Sequence, residues 1–252
     1  MRVFYMGNNW LGWKVLEWIV EQGEEVVGLA VHPPEKQKYG DELRTVADLP
    51  GKRVFDARRL KGEDTQRQVR NLNPDIGVSV LFDYILKPSF LDVFDREVIN
   101  LHPAYLPYNR GQYPNVWSIV DGTPAGTTLH YIDPEIDTGD IIARKSVDVE
   151  PVDTGKTLYE KLEQASLELF KETWPAIAFG KVSRVEQRKE EGTYHRTADV
   201  EEIDEIDLDE KYTARDLINI LRARTFPPHE SAYFEEEGEK VYVRVDLEYG
   251  EE

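Results

Sequence analysis

Apolar residues recur along the chain in short runs that alternate with helical patterns. Residues 3–6 form an apolar run, after which Leu11, Val15 and Trp18 are spaced as on one face of a helix. A second apolar run, EVVGLAV at 25–31, is typical of a buried strand. A strand, a helix and a strand in this order predict a βαβ unit with parallel strands and a right-handed crossover.

The same alternation continues to about Gly180. After a turn at Pro33 and Pro34 and a polar loop, further strands and a charged helix are predicted. The strands are expected near Val54 and at 76–81, 97–101, 125–132 and 141–149, and the charged helix at 64–71. A long helix follows, capped by Asp153 or Thr154 and ended by Gly180, with a buried stripe of Leu158, Leu162, Ala165 and Leu169. The predicted fold class is therefore α/β.

The composition changes near residue 190. From Glu190 to the C-terminus, acidic residues outnumber basic ones by 13. This part still contains a predicted helix at 214–224 and two strand-like runs, 231–234 and 241–247, joined by an acidic turn. We therefore expect two domains, 1–188 and 189–252, of which the second is a small α+β appendage with a helix and a β-hairpin.

The charge and composition exclude several classes of function. The formal net charge of -18 argues against a nucleic-acid partner, since backbone phosphates are bound by clustered Lys and Arg. The chain has no cysteine, which excludes disulfides, thiolate metal sites and cysteine nucleophiles. Because the N-terminus enters a strand pattern at once and no apolar run could span a bilayer, we expect a cytoplasmic protein that does not bind membranes.

Three polar residues have the spacing of a catalytic group. Asn100 and His102 are two apart at the end of a predicted strand, so their side chains leave the same face and can converge on one reacting atom. Asp137 lies in the loop between the next two predicted strands. Its carboxylate could fold back to orient an imidazole and stabilise its charged form.

Structural roles for these residue types remain open on spacing alone. Asp133, Asp137 and Asp140 could be turn residues that accept hydrogen bonds from their own backbone. A lone histidine on a strand is usually a hydrogen-bonded structural residue. We expect such structural roles for the other four histidines, His32, His130, His195 and His229.

A resemblance to a known family indicates a function, which the spacing of these residues does not. The stretch NLHPAYLP at 100–107, followed by Gly111 and by DTGD at 137–140, resembles the signature of the 10-formyltetrahydrofolate-dependent formyltransferases. The resemblance implies a Rossmann-like formyltransferase domain with a mainly parallel sheet. It also implies 10-formyltetrahydrofolate as formyl donor, tetrahydrofolate as product and no metal. The catalytic triad of the family corresponds to Asn100, His102 and Asp137.

The resemblance extends to binding residues on both sides of the triad. The first turn of the family approaches the phosphate-bearing acceptor, which suits the N–H groups at a helix N-terminus. The expected acceptor contacts are Gly7, Asn8, Asn9, Trp10, Tyr105, Tyr108, Asn109, Arg110, Gly111 and Tyr113. The expected folate contacts are Leu81, Phe82, Asp83, Tyr84, Ile85, Asp133 and Asp140.

The branch of the family is indicated by the stretch 103–117 and by the runs RARTFPP at 222–228 and KVYVRV at 240–245. These look most like sugar N-formyltransferases, which implies a nucleotide-linked amino sugar such as dTDP-4-amino-4,6-dideoxyglucose as acceptor, and a homodimer. A methionyl-tRNA formyltransferase would need a larger, basic C-terminal domain, whereas this tail is short and acidic. A glycinamide ribonucleotide formyltransferase, a formyltetrahydrofolate hydrolase and a silent nucleotide-sugar binding protein remain alternatives.

Overall fold

A computed structural model describes residues 1–250 of the chain. Its strands are β1 (Arg2–Gly7), β2 (Glu25–Val31), β3 (Val54–Asp56), β4 (Ile76–Val80), β5 (Val98–His102), β6 (Arg110–Gly111), β7 (Gly126–Tyr131), β8 (Ile141–Ser146), β9 (Tyr194–His195), β10 (Tyr233–Glu236) and β11 (Glu239–Tyr242). Its α-helices are α1 (Asn9–Glu21), α2 (Gly40–Ala47), α3 (Glu63–Arg70), α4 (Pro88–Leu91), α5 (Pro114–Val120), α6 (Gly155–Ala178), α7 (Thr197–Asp204) and α8 (Ala214–Ala223). None of the helices in this described part of the chain is both long and apolar enough to cross a membrane.

The chain forms two compact units, the first made of residues 1–102, 128–144 and 166–187. A seven-stranded sheet has the order β3-β2-β1-β4-β5-β7-β8. Strands β1 to β5 pair in parallel, and β7 pairs antiparallel with β5. This confirms the predicted α/β class and the Rossmann-like, mainly parallel sheet.

The sheet of the first unit is covered by apolar side chains on both faces. Successive side chains of a strand point to opposite faces, and β1 follows this rule. Val3 and Tyr5 belong to one buried cluster, whereas Phe4 and Met6 belong to another. Strands buried on both faces are typical of parallel sheets, which explains why β1, β2 and β4 are almost continuously apolar.

The second unit is made of residues 103–127, 145–165 and the chain from Arg188 onward. Its buried cluster combines residues of α5, α6, α7 and α8, among them Trp117, Leu158, Val200 and Ala223. The helix predicted at 214–224 is α8, which begins after Thr213, whose hydroxyl accepts a hydrogen bond from the Asp216 backbone N–H at 3.1 Å. The predicted hairpin is formed by β10 and β11. The division at 188/189 stays a prediction.

Three local features differ from the sequence expectation. Helix α2 lies where a polar loop was predicted, and α5 lies between the strands predicted at 97–101 and 125–132, where the sequence predicted no element. A proline in the first turn, here Pro114, favours a helix start because its missing N–H would have no partner there. The last strand ends at Tyr242 instead of continuing to 247. One more cross-strand bond follows, from the Val243 N–H to Ala232 O at 2.8 Å, and the Val245 N–H then leaves the hairpin and donates to the Thr225 hydroxyl at 3.1 Å.

Candidate active site

The pairing of β5 with β7 brings Asn100 and His130 together. In the register of this antiparallel pair, Asn100 lies opposite His130 and His102 lies opposite Thr128. Directly opposed side chains on one sheet face are neighbours. The Asn100 amide nitrogen Nδ2 lies 3.2 Å from Nε2 of His130. Two residues that are 30 positions apart in sequence therefore share one hydrogen bond.

The Asp137 carboxylate lies between two imidazoles. Its Oδ2 is 3.6 Å from Nε2 of His102, and its Oδ1 is 3.6 Å from Nε2 of His130. The two histidine rings are perpendicular, with centroids 6.3 Å apart. The structure thus brings Asn100, His102 and Asp137, which the sequence singled out, into one cluster. It adds His130 as a fourth member.

The hydrogen bonds of His130 determine its tautomer. Its Nδ1 lies 2.8 Å from the carbonyl oxygen of Tyr131, which can only accept, so Nδ1 carries the proton. Nε2 then has a lone pair and accepts from Asn100. Burial lowers the pKa of His130, against the opposing charge of Asp137. A neutral His130 has no proton on Nε2 to donate to Asp137. His102 is then the other imidazole that lies beside this carboxylate.

A short loop holds Asp137 in place. The buried Gln187 donates from Nε2 to the carbonyl oxygens of Asp137 at 3.0 Å and Gly139 at 2.7 Å. A Cβ atom on Gly139 would lie 1.9 Å from the carbonyl oxygen of Tyr131, so only glycine fits there. Asp137 itself has a left-handed backbone, with φ of 53°. Such a conformation is costly in a non-glycine residue and is held by its surroundings.

Sequence reasoning missed two residues of this arrangement. His130 was expected to be structural, and Gln187 was not singled out at all. The available signal was that both Asn100 and His130 lie on predicted strands. The register that opposes them cannot be read from single strands, and Gln187 reaches the loop from 48 to 50 positions away.

The predicted folate segment, Leu81, Phe82, Asp83, Tyr84 and Ile85, directly follows β4. Its aromatic rings are partly buried and contact each other, with centroids 5.5 Å apart. Ile85 is 74% exposed. The segment thus presents an apolar surface at the carboxyl end of a parallel strand, where ligands of such sheets usually bind.

Two other predicted folate contacts have partners within the protein. Asp133 accepts hydrogen bonds at Oδ1 from the Thr138 hydroxyl at 2.6 Å and from the Glu135 N–H at 3.1 Å. Asp140 pairs with Arg184 at 3.1 Å. Asp133 therefore bonds within the loop that carries Asp137, as expected of a turn residue. Asp140 is instead paired with an arginine 44 positions away. Their contact with folate stays a prediction.

The first turn, from Gly7 through Asn8 and Asn9 to Trp10, joins the last residue of β1 to the start of α1. The Asn8 side chain is buried and is bonded to the loop at Lys36 and Lys38. The backbone N–H groups of Asn8 and Asn9 donate to Val80 O and Lys38 O. Contact of this turn with the phosphate of an acceptor stays a prediction, and the next backbone N–H groups along the chain are those of Trp10 and Leu11.

The predicted acceptor loop at 105–113 belongs to the second unit. Asn109 is fully buried there, and its amide is bonded to the hydroxyls of Ser118, Thr123 and Thr193 at 2.8–3.1 Å. A Cβ atom on Gly111 would lie 2.2 Å from His195 O, so glycine is required.

Asn109 and Gly111 therefore shape this loop. The accessible side chains among the predicted contacts in this loop are the partly exposed ones of Tyr105, Tyr108 and Arg110 and the exposed one of Tyr113. Contact of any of them with an acceptor stays a prediction. Within residues 1–250, no group of three or more His, Asp or Glu side chains could hold a metal ion.

His130 should lose its charge at a lower pH than an ordinary histidine. Because burial lowers its pKa from 6.5, we expect the ring to be mainly neutral, with the proton on Nδ1, at pH 6.5, where an ordinary histidine is half protonated. The unfolded chain takes up this proton first, so the folded state should lose stability as the pH falls below 6.5. ¹⁵N NMR of the imidazole nitrogens, assigned with His130→Gln, measures this. An ordinary titration, or an Nε2–H tautomer, would contradict it.

Two family descriptions match the chain. The one described as "Formyl transferase" matches residues 4–173, and the one described as "N-formyltransferase dimerization C-terminal domain" matches residues 199–249. Among solved structures, a 4-N formyltransferase from Francisella tularensis has a TM-score of 0.83 and 28% identity, and the match covers 98% of each chain.

Curated relatives of two kinds are similar to this chain. The dTDP-4-amino-4,6-dideoxyglucose formyltransferase of Mycobacterium bovis is 38% identical over 151 residues, 60% of this chain and 64% of the relative. The methionyl-tRNA formyltransferase of Geobacter metallireducens is 28% identical over 193 residues, 74% of this chain and 62% of the relative. The chain thus spans less than two thirds of the length of these relatives. Because the first family description covers most of the chain, this protein belongs to the formyl transferase family.

Proposed function

We propose that this protein transfers a formyl group from 10-formyltetrahydrofolate to the amine of a nucleotide-linked amino sugar. The observation that carries the proposal is the cluster of Asn100, His102 and Asp137 in a member of the formyl transferase family. The three side chains supply a hydrogen-bond donor, an imidazole and a carboxylate. This is the set that acyl transfer to an amine requires.

In the proposed reaction the sugar amine attacks the formyl carbon, and negative charge develops on the formyl oxygen. Collapse of this intermediate breaks the bond between the formyl carbon and N10 of the folate, and the proton lost by the amine passes to N10 to give tetrahydrofolate. Asn100 Nδ2 carries two hydrogens, of which one is held by His130. The second is then the donor for the oxyanion. A preorganised donor of this kind is worth on the order of 3 kcal/mol in acyl transfer. His130 thus acts as a positioning residue, because it determines which way the amide of Asn100 points.

His102 and Asp137 form the second half of the mechanism. His102 either takes the proton of the attacking amine or, when protonated, donates to the oxyanion. Asp137 supports both roles, because a carboxylate orients the imidazole and stabilises its charged form. Their separation of 3.6 Å is longer than a good hydrogen bond, and such contacts often tighten when substrate binds.

Several features favour a sugar acceptor over tRNA. The C-terminal match is to an N-formyltransferase domain, and the similarity to the Francisella 4-N formyltransferase spans both units of the chain. The net charge of -18 opposes binding of a polyanionic RNA. We therefore propose the 4-amine of dTDP-4-amino-4,6-dideoxyglucose, the sugar named for the mycobacterial relative, as the first acceptor to test.

Single substitutions in the cluster should remove most formyl transfer. We expect Asn100→Ala to lower kcat about a hundredfold to a thousandfold by loss of an oxyanion donor. His102→Ala should lower kcat about a hundredfold to ten-thousandfold. Asp137→Asn should cause a comparable loss by misdirecting the imidazole. Steady-state kinetics of formylated product, with circular dichroism to check folding, measures all three.

A matched control lies in the same loop. Ile136 directly precedes Asp137 and is 40% exposed, so Ile136→Ala should leave kcat nearly unchanged. Near-normal turnover in any of the three cluster variants would remove that residue from the proposed mechanism.

The acceptor can be identified from the product. The protein is incubated with 10-formyltetrahydrofolate and, separately, dTDP- and GDP-linked amino sugars, glycinamide ribonucleotide and methionyl-tRNA, followed by mass spectrometry. We expect a mass increase of one formyl group only on a nucleotide sugar. Formylation of only tRNA or glycinamide ribonucleotide would select a rival transferase, and release of formate alone would select a hydrolase. Tight binding of a nucleotide sugar without turnover would indicate a silent binding protein.

We also propose a homodimer that forms through the C-terminal region. The match at 199–249 is to a dimerization domain, and Leu208, Ile218, Val241 and Tyr242 expose apolar surface there. Light scattering should give twice the mass of the 29.2 kDa chain. A monomer at micromolar concentration would remove this part of the proposal. The cytoplasmic location stays a prediction.

A further inference from the structure

The segment 81–85 leaves β4 with a strained backbone. Leu81 has a left-handed φ of 49°, which non-glycine residues adopt only where the surroundings impose it. Farther along the segment, Tyr84 and Ile85 line a cavity of about 120 Å³ together with residues of the stretch 57–61 and of α4. A partly exposed segment next to a cavity is suited to ligand binding. Because its backbone is strained, its conformation has to be stabilised by contacts with other residues.

His32 holds this segment. It follows β2, and its side chain is only 1% exposed. Its Nε2 accepts a hydrogen bond from the Asp83 backbone N–H at 3.3 Å. Its ring is stacked on Phe82, with centroids 5.3 Å apart, and lies 5.2 Å from the ring of Tyr84. One side chain therefore contacts three successive residues of the segment.

The second ring nitrogen of His32, Nδ1, distinguishes this residue from one that only fills space. Because Nε2 accepts, the neutral ring carries its proton on Nδ1. Nδ1 is buried and has no hydrogen-bond partner among residues 1–250. A buried donor without a partner is destabilising. An apolar side chain of similar size would pack between the same rings without that cost, so stability alone does not account for a histidine here.

We propose that His32 is a positioning residue for folate binding, which rests on the proposed function. Its Nε2 accepts from the Asp83 N–H and its ring stacks on Phe82, so the segment keeps the shape that meets the cofactor before the cofactor arrives. Preorganised segments bind more tightly because less ordering remains to be done on binding. His32 does not touch the reacting atoms and acts only through 82–84.

The pair His32→Leu and His32→Gln separates positioning from packing. Leucine fills the space but cannot accept a hydrogen bond, whereas the glutamine side-chain oxygen can replace Nε2. We expect His32→Leu to raise the Kd for tetrahydrofolate roughly threefold to tenfold, the effect of losing one ordinary hydrogen bond. The Gln variant should stay near wild type. In neither variant should kcat at saturating folate change more than about twofold.

Isothermal titration calorimetry with tetrahydrofolate measures binding without any acceptor, and thermal unfolding of the same samples measures stability. His229→Gln, at an exposed histidine of the second unit, serves as control and should leave the Kd unchanged. A His32→Leu variant with a lowered Tm and unchanged Kd would overturn the inference, because His32 would then be structural only. Equal loss of affinity in Leu and Gln variants would overturn it too.

Failure of the proposed function gives a different result. If wild-type protein does not bind tetrahydrofolate at all, both the function and this role of His32 fall. If wild-type protein binds tetrahydrofolate and all variants bind equally well, only the role of His32 falls.

Discussion

The Asp137 carboxylate has two imidazole neighbours and can share its negative charge with only one of them. Burial and hydrogen bonding decide which of the two imidazoles this is. His130 lies inside the sheet, where the charged form is disfavoured, and its accepting nitrogen is occupied by Asn100. His102 is therefore left as the partner of the carboxylate. This contrast between the two rings assigns a positioning role to His130 and leaves His102 for the proton transfer proposed above.

That contrast depends on the pairing of β5 with β7. The register opposes Asn100 to His130 and puts His102 two residues farther along the same strand. The loop after β7 then returns Asp137 to the cluster, held by Gln187 and by close packing at Gly139. Because each contact comes from a different element, the cluster needs the folded sheet before any of its chemistry is possible. Asn100, His102 and His130 lie on strands, which position side chains more precisely than loops do.

Several polar residues that a motif singles out serve the architecture of the loops. Asn8 and Asn109 are buried and bond to neighbouring loops, and Asp133 accepts hydrogen bonds within its own turn. Irregular backbone near a site leaves N–H and C=O groups that need partners. Motif positions therefore combine residues that act on ligands with residues that only shape the loop. His32 is a third case, because it lies outside the motif and accepts a hydrogen bond from the segment that we propose binds folate.

The sequence by itself determined the alternation of strands and helices, the α/β class, the small α+β tail and the three residues of the Asn, His and Asp set. These follow from local periodicity, composition and a motif of short span. The tertiary structure alone decided the strand order, the opposition of Asn100 to His130, and the contacts of Gln187 and His32. It also decided that α2 is a helix where a loop was expected and that α5 forms where no element was predicted. The physical reason is that register, burial and long-range hydrogen bonds depend on which distant segments pack together, and periodicity within one segment carries no record of its partner.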